Sequence, residues 1–321
     1  MSLETLIPQL ENSQRAPAAA DLAALSGLAG DDRSRFLDVW RTLSIQRRRD
    51  IIDLLADIAE DNVELTFDAV FMIGLLDGDV QVRAQSVKAL WEYDGGDLVP
   101  LLLRLLRDRE AIVRAEAALG LGRCLLRYEL DGDDAADASA IEAALREVLR
   151  DEAELAEVRG RALEALGVRG HDWIQDLIEN AYDMGDRRMK ISAVHAMGRN
   201  ADSRWLPSVV DEMQNDDAEM RFEAATAAGG IGDEETIPDL ALLADDDDVE
   251  VQEAAIASIG LIGGPHARSA LHAIAADHDD ERVLEAVKDA LSEADFVEDP
   301  LGFKMYLDQS VADDADEDDD E

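Results

Sequence analysis

The stretch Asp79–Leu90, DVQVRAQSVKAL, contains a residue pattern that recurs along the chain. Its anchor is Val82, which is followed by a basic residue and then by small or apolar residues at positions +4, +5, +7 and +8. The pattern returns six times, with steps of 31, 45, 31, 31, 31 and 32 residues. The later anchors are Val113, Val158, Met189, Met220, Val251 and Val283. A period of this length predicts a solenoid of helical hairpins, in which each hairpin buries its apolar face against the next.

Each copy of the pattern is interpreted as the second helix of a hairpin, because positions 0, +4 and +8 share one helical stripe. Small residues at +4 and +7 are expected to let neighbouring helices approach closely. Glycine at +9 is expected to mark the end of the second helix, and it occurs as Gly122, Gly167, Gly198, Gly229 and Gly260. Proline at +18 suits the opening turn of the next first helix, and it occurs as Pro100, Pro207 and Pro238.

An acidic residue stands three positions before most anchors, where its side chain can accept hydrogen bonds from the first free amides as a helix N-cap. The basic residue at +1 is expected to pair with the caps of adjacent repeats and so to form a structural ladder. The residues assigned to this ladder are Arg83, Arg114, Arg159, Lys190, Arg221, Asp79, Asp186, Asp217 and Asp248.

The periodicity predicts an all-α fold, an α-α superhelical solenoid of about eight repeats at residues 31–292, including a weaker first copy anchored at Ile51. The step of 45 residues is attributed to an acidic loop insertion at residues 128–141. The remaining segments are an N-terminal cap or lead-in, a C-terminal cap segment and a disordered acidic tail, at residues 1–30, 293–310 and 311–321.

The chain is strongly acidic, with 74 acidic and 30 basic residues among 321 and a net charge of −44 at pH 7. A field of this sign repels phosphate backbones and anionic lipid headgroups, so we expect neither nucleic acid nor a membrane surface as a partner. Two explanations of the acidity stay open: adaptation to high salt, or an acidic protein of an ordinary cytoplasm. The presence of only four lysines favours the first.

The start of the sequence has no charged segment followed by an apolar run, and no window approaches 18 uninterrupted apolar residues. Cys124 is the only cysteine, so no intrachain disulfide can form, and we expect it to be a small buried residue rather than a nucleophile. These observations predict a cytoplasmic protein, which we expect to be a monomer.

The pattern Asp-x-x-Val-Arg-x-x-Ala followed by Ala-Leu-Gly, at a period of 31 residues, resembles the HEAT repeats. More narrowly, it resembles the short HEAT-like repeats of phycobilisome lyases. The resemblance extends over residues 31–291, and it is specific for the fold but not for the function. It implies one alternative function, that of a chromophore lyase subunit. Such a subunit would need a partner subunit and a pocket for an acidic open-chain tetrapyrrole.

Two other activities of HEAT-like proteins find no matching residues. The hydroxylases with HEAT-like repeats hold two irons with repeated His-Glu pairs, whereas none of the five histidines here is followed by glutamate. The DNA glycosylases with HEAT-like repeats need a basic groove with aromatic side chains. Here the residues at position +6 of the seven copies, which we call column +6, are neither basic nor regular. We therefore expect no catalytic residue, no metal and no cofactor.

The function predicted from the sequence is a non-catalytic scaffold that binds another protein on the concave face of the solenoid. Columns +2, +3 and +6 of the second helices would carry the contacts, because the stack does not need them. The candidate partner-binding residues in these columns are Ile191, His195, Phe222 and Arg161. An apolar step rimmed by charge is typical of a binding hot spot. The alternative is that Ile191 and Phe222 pack inside their own repeats.

Overall fold

A computed structural model of the protein describes residues 2–12, 17–131 and 136–298. The described residues form eighteen α-helices and three short 3₁₀ helices, with no strand among them. They divide into two units, Met1–Leu166 and Gly167–Glu321. The predicted all-α solenoid of HEAT-like hairpins is confirmed.

The first unit begins with two short N-terminal helices and continues as helical hairpins. Its helices are α1 (Leu3–Glu11), α2 (Ala19–Leu22), α3 (Gly30–Thr42), α4 (Ile45–Asp61), α5 (Asp68–Gly74), α6 (Val80–Ala89), α7 (Leu98–Leu105), α8 (Ala111–Asp131), α9 (Ala136–Arg150) and α10 (Ala156–Leu166). The second helices α4, α6, α8 and α10 pack on one another in that order. At the N-terminal end, α1 packs on α3, and the side chains of Leu6 and Leu10 are buried.

The second unit repeats the hairpin four times. Its helices are α11 (Asp172–Met184), α12 (Arg187–Asn200), α13 (Leu206–Glu212), α14 (Ala218–Ile231), α15 (Ile237–Leu243), α16 (Val249–Ile262), α17 (Gly264–Asp277) and α18 (Glu281–Glu298). The second helices α12, α14, α16 and α18 pack consecutively, and each also packs on the first helix of its own hairpin. Pro207 and Pro238 lie in the opening turns of α13 and α15, as predicted.

The core is built from the predicted stripe of the second helices. All seven anchors are buried, and so are the seven residues at +4, from Ser86 to Val287. Each buried valine contributes about 1.5–3 kcal/mol relative to an exposed one. Because most residues at +4 are alanine, the layers are thin, which explains how a chain with 4% aromatic residues fills its core.

The glycine at +9 has a different role from the one predicted. Gly122, Gly198, Gly229 and Gly260 lie inside their helices, so the expectation that this glycine ends the helix is wrong for these four copies. A Cβ atom on Gly198 would lie 2.5 Å from the Cα of Ala227, which is position +7 of the next repeat. The same clash with position +7 of the next repeat recurs at all five glycines. Glycine is therefore required by the close approach of consecutive second helices.

Two segment predictions need correction. The described part of the insertion at 128–141 is helical and not a loop, because α8 continues to Asp131 and α9 begins at Ala136. Ala138 and Ile141 of α9 are buried. The C-terminal cap predicted at 293–310 begins instead as a continuation of α18, which runs to Glu298. The rest of that segment and the acidic tail at 311–321 lie outside the described residues.

The predicted N-caps are confirmed. Each of the four aspartates accepts a hydrogen bond on its side chain from a backbone N–H two or three residues later. These caps are Asp79, Asp186, Asp217 and Asp248. Each cap satisfies one or two of the amides that the first helical turn leaves free.

The basic residue at +1 does join consecutive repeats, but its acidic partner is not the cap. Arg83 donates from Nε and Nη2 to the two carboxylate oxygens of Asp108, each at 2.8 Å, and from Nη1 to the carbonyl of Asp77 at 2.9 Å. Arg221 contacts Asp246 in the same way, at 2.6 and 2.7 Å. Asp108 and Asp246 stand two residues before the cap position, at −5, because the turn brings that residue and not the cap to the preceding arginine.

The other predicted ladder residues make related contacts. Arg114 donates to both carboxylate oxygens of Glu154, at 2.6 and 2.7 Å. Lys190 Nζ lies 3.3 Å from Oε1 of Glu212 in the next repeat. The prediction is wrong for Arg159, because its Nε donates to the Leu149 carbonyl of its own hairpin, at 3.1 Å. The ladder therefore has several forms, and its bidentate form needs arginine.

Two caps are paired with arginines at position −2 of the preceding repeat. Asp79 accepts from Arg49 at 2.9 and 2.6 Å, and Asp217 accepts from Arg187 at 2.6 and 2.9 Å. The hydrogen bonds from Arg49 lower the pKa of Asp79 to about 2, although burial acts in the opposite direction, and the helix amides add to the lowering.

Replacing Gly198 by valine should destabilise the protein by about 1–3 kcal/mol, because the new side chain meets the backbone of Ala227. Valine and glycine differ little in helix propensity, so the change reports packing. Urea unfolding followed by circular dichroism measures the effect. Gly170→Val is the control, since no atom lies within 4 Å of a Cβ there. Equal stabilities of the two variants would contradict the close approach.

Replacing Arg49 by alanine should raise the pKa of Asp79 from about 2 towards the usual value of 3.8. In the wild type this carboxylate stabilises the fold above about pH 4, and the contribution is lost as the pH falls towards 2. The variant should therefore unfold at a higher pH during acid titration. Carboxyl-carbon NMR reports the pKa, and circular dichroism reports unfolding. Arg107→Ala, at an exposed arginine, should leave both unchanged; an unaltered pKa of Asp79 in Arg49→Ala would refute the assignment.

Candidate partner-binding surface

The second helices of the unit Gly167–Glu321 carry the positions that were predicted to bind a partner. Their columns +2, +3 and +6 are more exposed in α14, α16 and α18 than in α12. We call the half-buried and exposed members of these columns the second-helix surface. It consists of His195, Phe222, Glu223, Thr226, Glu253, Ala254, Ala257, Glu285, Ala286 and Asp289.

Ile191 does not belong to this surface. Its side chain is fully buried, with 0% of its area exposed, and Ser192 beside it on α12 is buried as well. The hypothesis of an exposed hot spot is therefore wrong for Ile191, and the alternative of a core residue is correct. Column +2 is thus not equally exposed in every layer, and an isoleucine at +2 stabilises the fold by burial.

Phe222 lies at the start of the second turn of α14 and is half-buried. Part of the residue is covered and part faces solvent, so its role in partner binding stays a prediction. Its backbone carbonyl accepts a hydrogen bond from the Thr226 hydroxyl at 3.0 Å. Phe222 is the phenylalanine of the second-helix surface.

His195 connects two layers of this surface. Its Nδ1 lies 2.9 Å from Oε2 of Glu223, which joins α12 to α14. Both side chains are mostly covered, so this contact holds the histidine in place rather than leaving it free. Phe222 precedes Glu223 directly, so the structure brings His195 and Phe222 to the same pair of helices.

Arg161 belongs to the other unit, on α10. Its Nη1 lies 2.8 Å from Oε2 of Glu164, a buried carboxylate, and its Nε lies 3.0 Å from Oε1 of Glu157. Because a buried carboxylate needs a charged partner, Arg161 has a structural role within its own helix. Nothing in these contacts joins it to the other three candidate residues.

An acidic groove between α16 and α18 was not predicted. Its volume is about 500 Å³, and its walls carry four carboxylates above a base of alanines. The carboxylates belong to Glu253, Glu285, Asp289 and Glu293. The one basic residue in its lining, Arg282, lies 2.8 Å from Asp280. Three of the acids were visible in columns +2 and +6 of the last two repeats, but only the structure shows that the columns flank one groove.

No group of three or more histidine, cysteine, aspartate or glutamate side chains could hold a metal ion within the described part of the chain. Cys124 is buried, as predicted, and burial raises the pKa of its thiol. Among the described helices, none is both long and apolar enough to cross a membrane.

Comparisons with known proteins identify the repeats. Residues 206–292 match the family model of HEAT repeats. The complex of CpcE and CpcF of phycocyanin lyase from Nostoc sp. PCC7120 is similar in fold, with a TM-score of 0.54 and 16% identity over 89% of this chain and 96% of that chain. Yeast importin-beta gives a TM-score of 0.49 and 13% identity over 91% of this chain and 46% of that chain.

The match to human deoxyhypusine hydroxylase has a TM-score of 0.33 and 17% identity, and it covers 76% of this chain and 99% of that chain. No sequence among the curated proteins matches the chain. Residues 206–292 therefore form HEAT repeats, the hairpins that precede them have the same architecture, and the fold of the chain resembles that of a phycobilisome lyase.

Proposed function

We propose that this protein is a non-catalytic scaffold, a cytoplasmic monomer that binds another protein through the second-helix surface. In HEAT-like solenoids the second helices line the concave face, which is where we expect the partner. The observation that carries the proposal is that each second helix has two sets of positions, one that packs on neighbouring helices and one that does not. Positions 0, +4, +7 and +9 serve the stack, whereas +2, +3 and +6 of α14, α16 and α18 remain open to a ligand.

The charges of this surface favour a basic partner. The groove between α16 and α18 presents four carboxylates and one arginine, in a chain with a net charge of −44. Complementary charge raises association rates and excludes acidic competitors, and its effect weakens as salt screens the field. Phe222 would add an aromatic contact at the other end of the surface, since aromatic rings commonly anchor interfaces.

A chromophore lyase subunit is the second candidate, and similarity in fold to the phycocyanin lyase complex supports it. The acidic surface argues against it, because the propionates of an open-chain tetrapyrrole would meet carboxylates. Mixing the protein with phycocyanobilin and following the bilin absorbance through gel filtration separates the two candidates. Bilin that elutes with the protein would favour the lyase subunit over the scaffold.

Reversing two charges of the acidic groove should abolish partner capture. Glu285→Lys/Asp289→Lys changes exposed residues on α18, so the fold should be unaffected while attraction to a basic partner is lost. The measurement is affinity capture from native lysate, with the bound proteins identified and quantified by mass spectrometry. At least one basic protein captured by the wild type should be reduced tenfold or more with the variant.

The matched control is Asp176→Lys/Glu179→Lys, which makes the same change of charge at exposed positions on α11, a first helix of the same unit. This control should capture the same proteins as the wild type. Equal losses in both variants would show that only net charge matters, and unchanged capture in both would place the binding surface elsewhere.

Phe222→Ala should weaken capture with little change in helicity. Because the ring is half-buried, the loss in unfolding free energy should stay below the range of about 3–5 kcal/mol that is typical of a fully buried phenylalanine. Ile191→Ala, at a fully buried position, should instead cost about 2–5 kcal/mol. Urea unfolding of both variants, beside capture, makes the comparison. Phe222→Ala that keeps full capture would remove this residue from the proposed interface.

A further inference from the structure

A groove on the first helices of the unit Met1–Leu166 has no role in the proposed function. It lies between α3 and the end of α5, and its volume is about 550 Å³, within the usual range for binding sites. We call it the α3–α5 groove. The polar lining residues that matter for its chemistry are Arg33, Trp40, Arg41, Arg48 and Asp77, and the apolar ones that are not buried are Leu37 and Leu76.

The apolar part of the groove includes a leucine that folding does not cover. Leu76 follows α5 and is 56% exposed, and Leu37 on α3 is half-buried in the same groove. Met72 and Ile73 complete this apolar wall. An isolated exposed leucine needs no explanation, but one that borders a concave apolar wall offers a seat for another apolar side chain.

One polar wall of the groove is already formed. Trp40 donates from Nε1 to Oδ2 of Asp77 at 2.8 Å, and Arg48 Nε lies 2.9 Å from the same oxygen. Arg48 also donates to the Leu43 carbonyl at 2.7 Å. These contacts neutralise the charge of Asp77 with that of Arg48 and hold both side chains still. A ligand therefore meets a preformed wall without an unpaired negative charge.

The rim of the groove carries two arginines whose guanidinium groups can still donate hydrogen bonds to a ligand. Arg33 is exposed, and its guanidinium has no hydrogen-bond or ion-pair partner among the described residues. Arg41 lies 3.4 Å from Asp38, but both side chains are more than half exposed, so this pair contributes little. In a chain of net charge −44, the lining of the groove is locally basic, with three arginines and one aspartate.

We propose that the α3–α5 groove docks a segment of a partner protein that carries a large apolar side chain next to a carboxylate. The apolar side chain would contact Leu37 and Leu76, and the carboxylate would accept hydrogen bonds from Arg33 and Arg41, which suit bidentate pairing. This partner has the opposite charge preference from the one proposed for the second-helix surface, so the two surfaces select different ligands. The inference does not depend on the proposed function.

Selection from a displayed library of random 12-residue peptides tests the proposal on the full chain. Bound peptides are sequenced after selection on the wild type and, in parallel, on Arg33→Glu/Leu76→Ser, whose substituted residues are exposed. Peptides lost with the variant should combine aspartate or glutamate with leucine, isoleucine or phenylalanine. A synthetic peptide of this class should bind the variant at least tenfold more weakly by fluorescence anisotropy.

The matched control is Arg107→Glu/Leu242→Ser, which makes the same two changes at an exposed arginine and at a leucine that is 73% exposed. It should bind these peptides like the wild type. Basic peptides, which use acidic surfaces, should bind all three proteins equally. Peptide sets that do not differ between wild type and groove variant, or variant-sensitive peptides without a carboxylate, would overturn the proposal.

Two other occupants of the groove would also be recognised. If the wild type forms a dimer in sedimentation velocity and Arg33→Glu/Leu76→Ser is monomeric, the groove binds a second copy of the chain. If decanoate displaces the selected peptide at micromolar concentration, a small anionic amphiphile is the better ligand. Either result would overturn the proposal of a partner-protein segment.

Discussion

The contact between position +9 of one second helix and position +7 of the next determines how closely the layers of this protein stack. At Gly198 and Ala227, a single added Cβ would lie 2.5 Å from a backbone atom, and equivalent approaches recur at the other four glycines at +9. Helices this close leave no room for large side chains between them, so alanine fills +4 and +7. The small fraction of aromatic residues and the thin layers follow from this constraint.

The ion pairs add specificity to this packing. An arginine at +1 contacts the carbonyl of position −5 in its own repeat and the carboxylate of position −5 in the next, as Arg83 does with Asp77 and Asp108. These pairs also use up many of the 30 basic side chains, including Arg49 and Arg187 at the caps. Few arginines and lysines are therefore left for the rest of the surface, which is mostly acidic. Charge is for this reason part of the argument for both proposed binding surfaces.

Much of the fold could be predicted from the sequence because its signals are local. The helix stripe, the caps at Asp79 and Asp217 and the prolines at 207 and 238 all depend on residues within one or two turns. The acidic partner of Arg83 could not be assigned in this way, since the path of the turn decides which residue of the next repeat comes near. Gly198 was misinterpreted for the same reason: its neighbour is 29 positions away in sequence.

The candidate surface was less predictable than the fold. Ile191 and Phe222 occupy the same column, but one is buried and the other half-buried, because exposure depends on the layer as well as on the position. The acidic groove between α16 and α18 needed two helices to be placed side by side before its four carboxylates could be grouped.

The arginine at +1 also bears on how such an array grows by gene duplication. At the junction that follows Arg221, the next repeat supplies the matching acid, Asp246. At the preceding junction both halves differ together: lysine stands at 190, and Asn215 replaces the acid. A duplicated or deleted unit would join a +1 residue to the −5 residue of a different repeat, so the ion pair would form only where an arginine meets an acid.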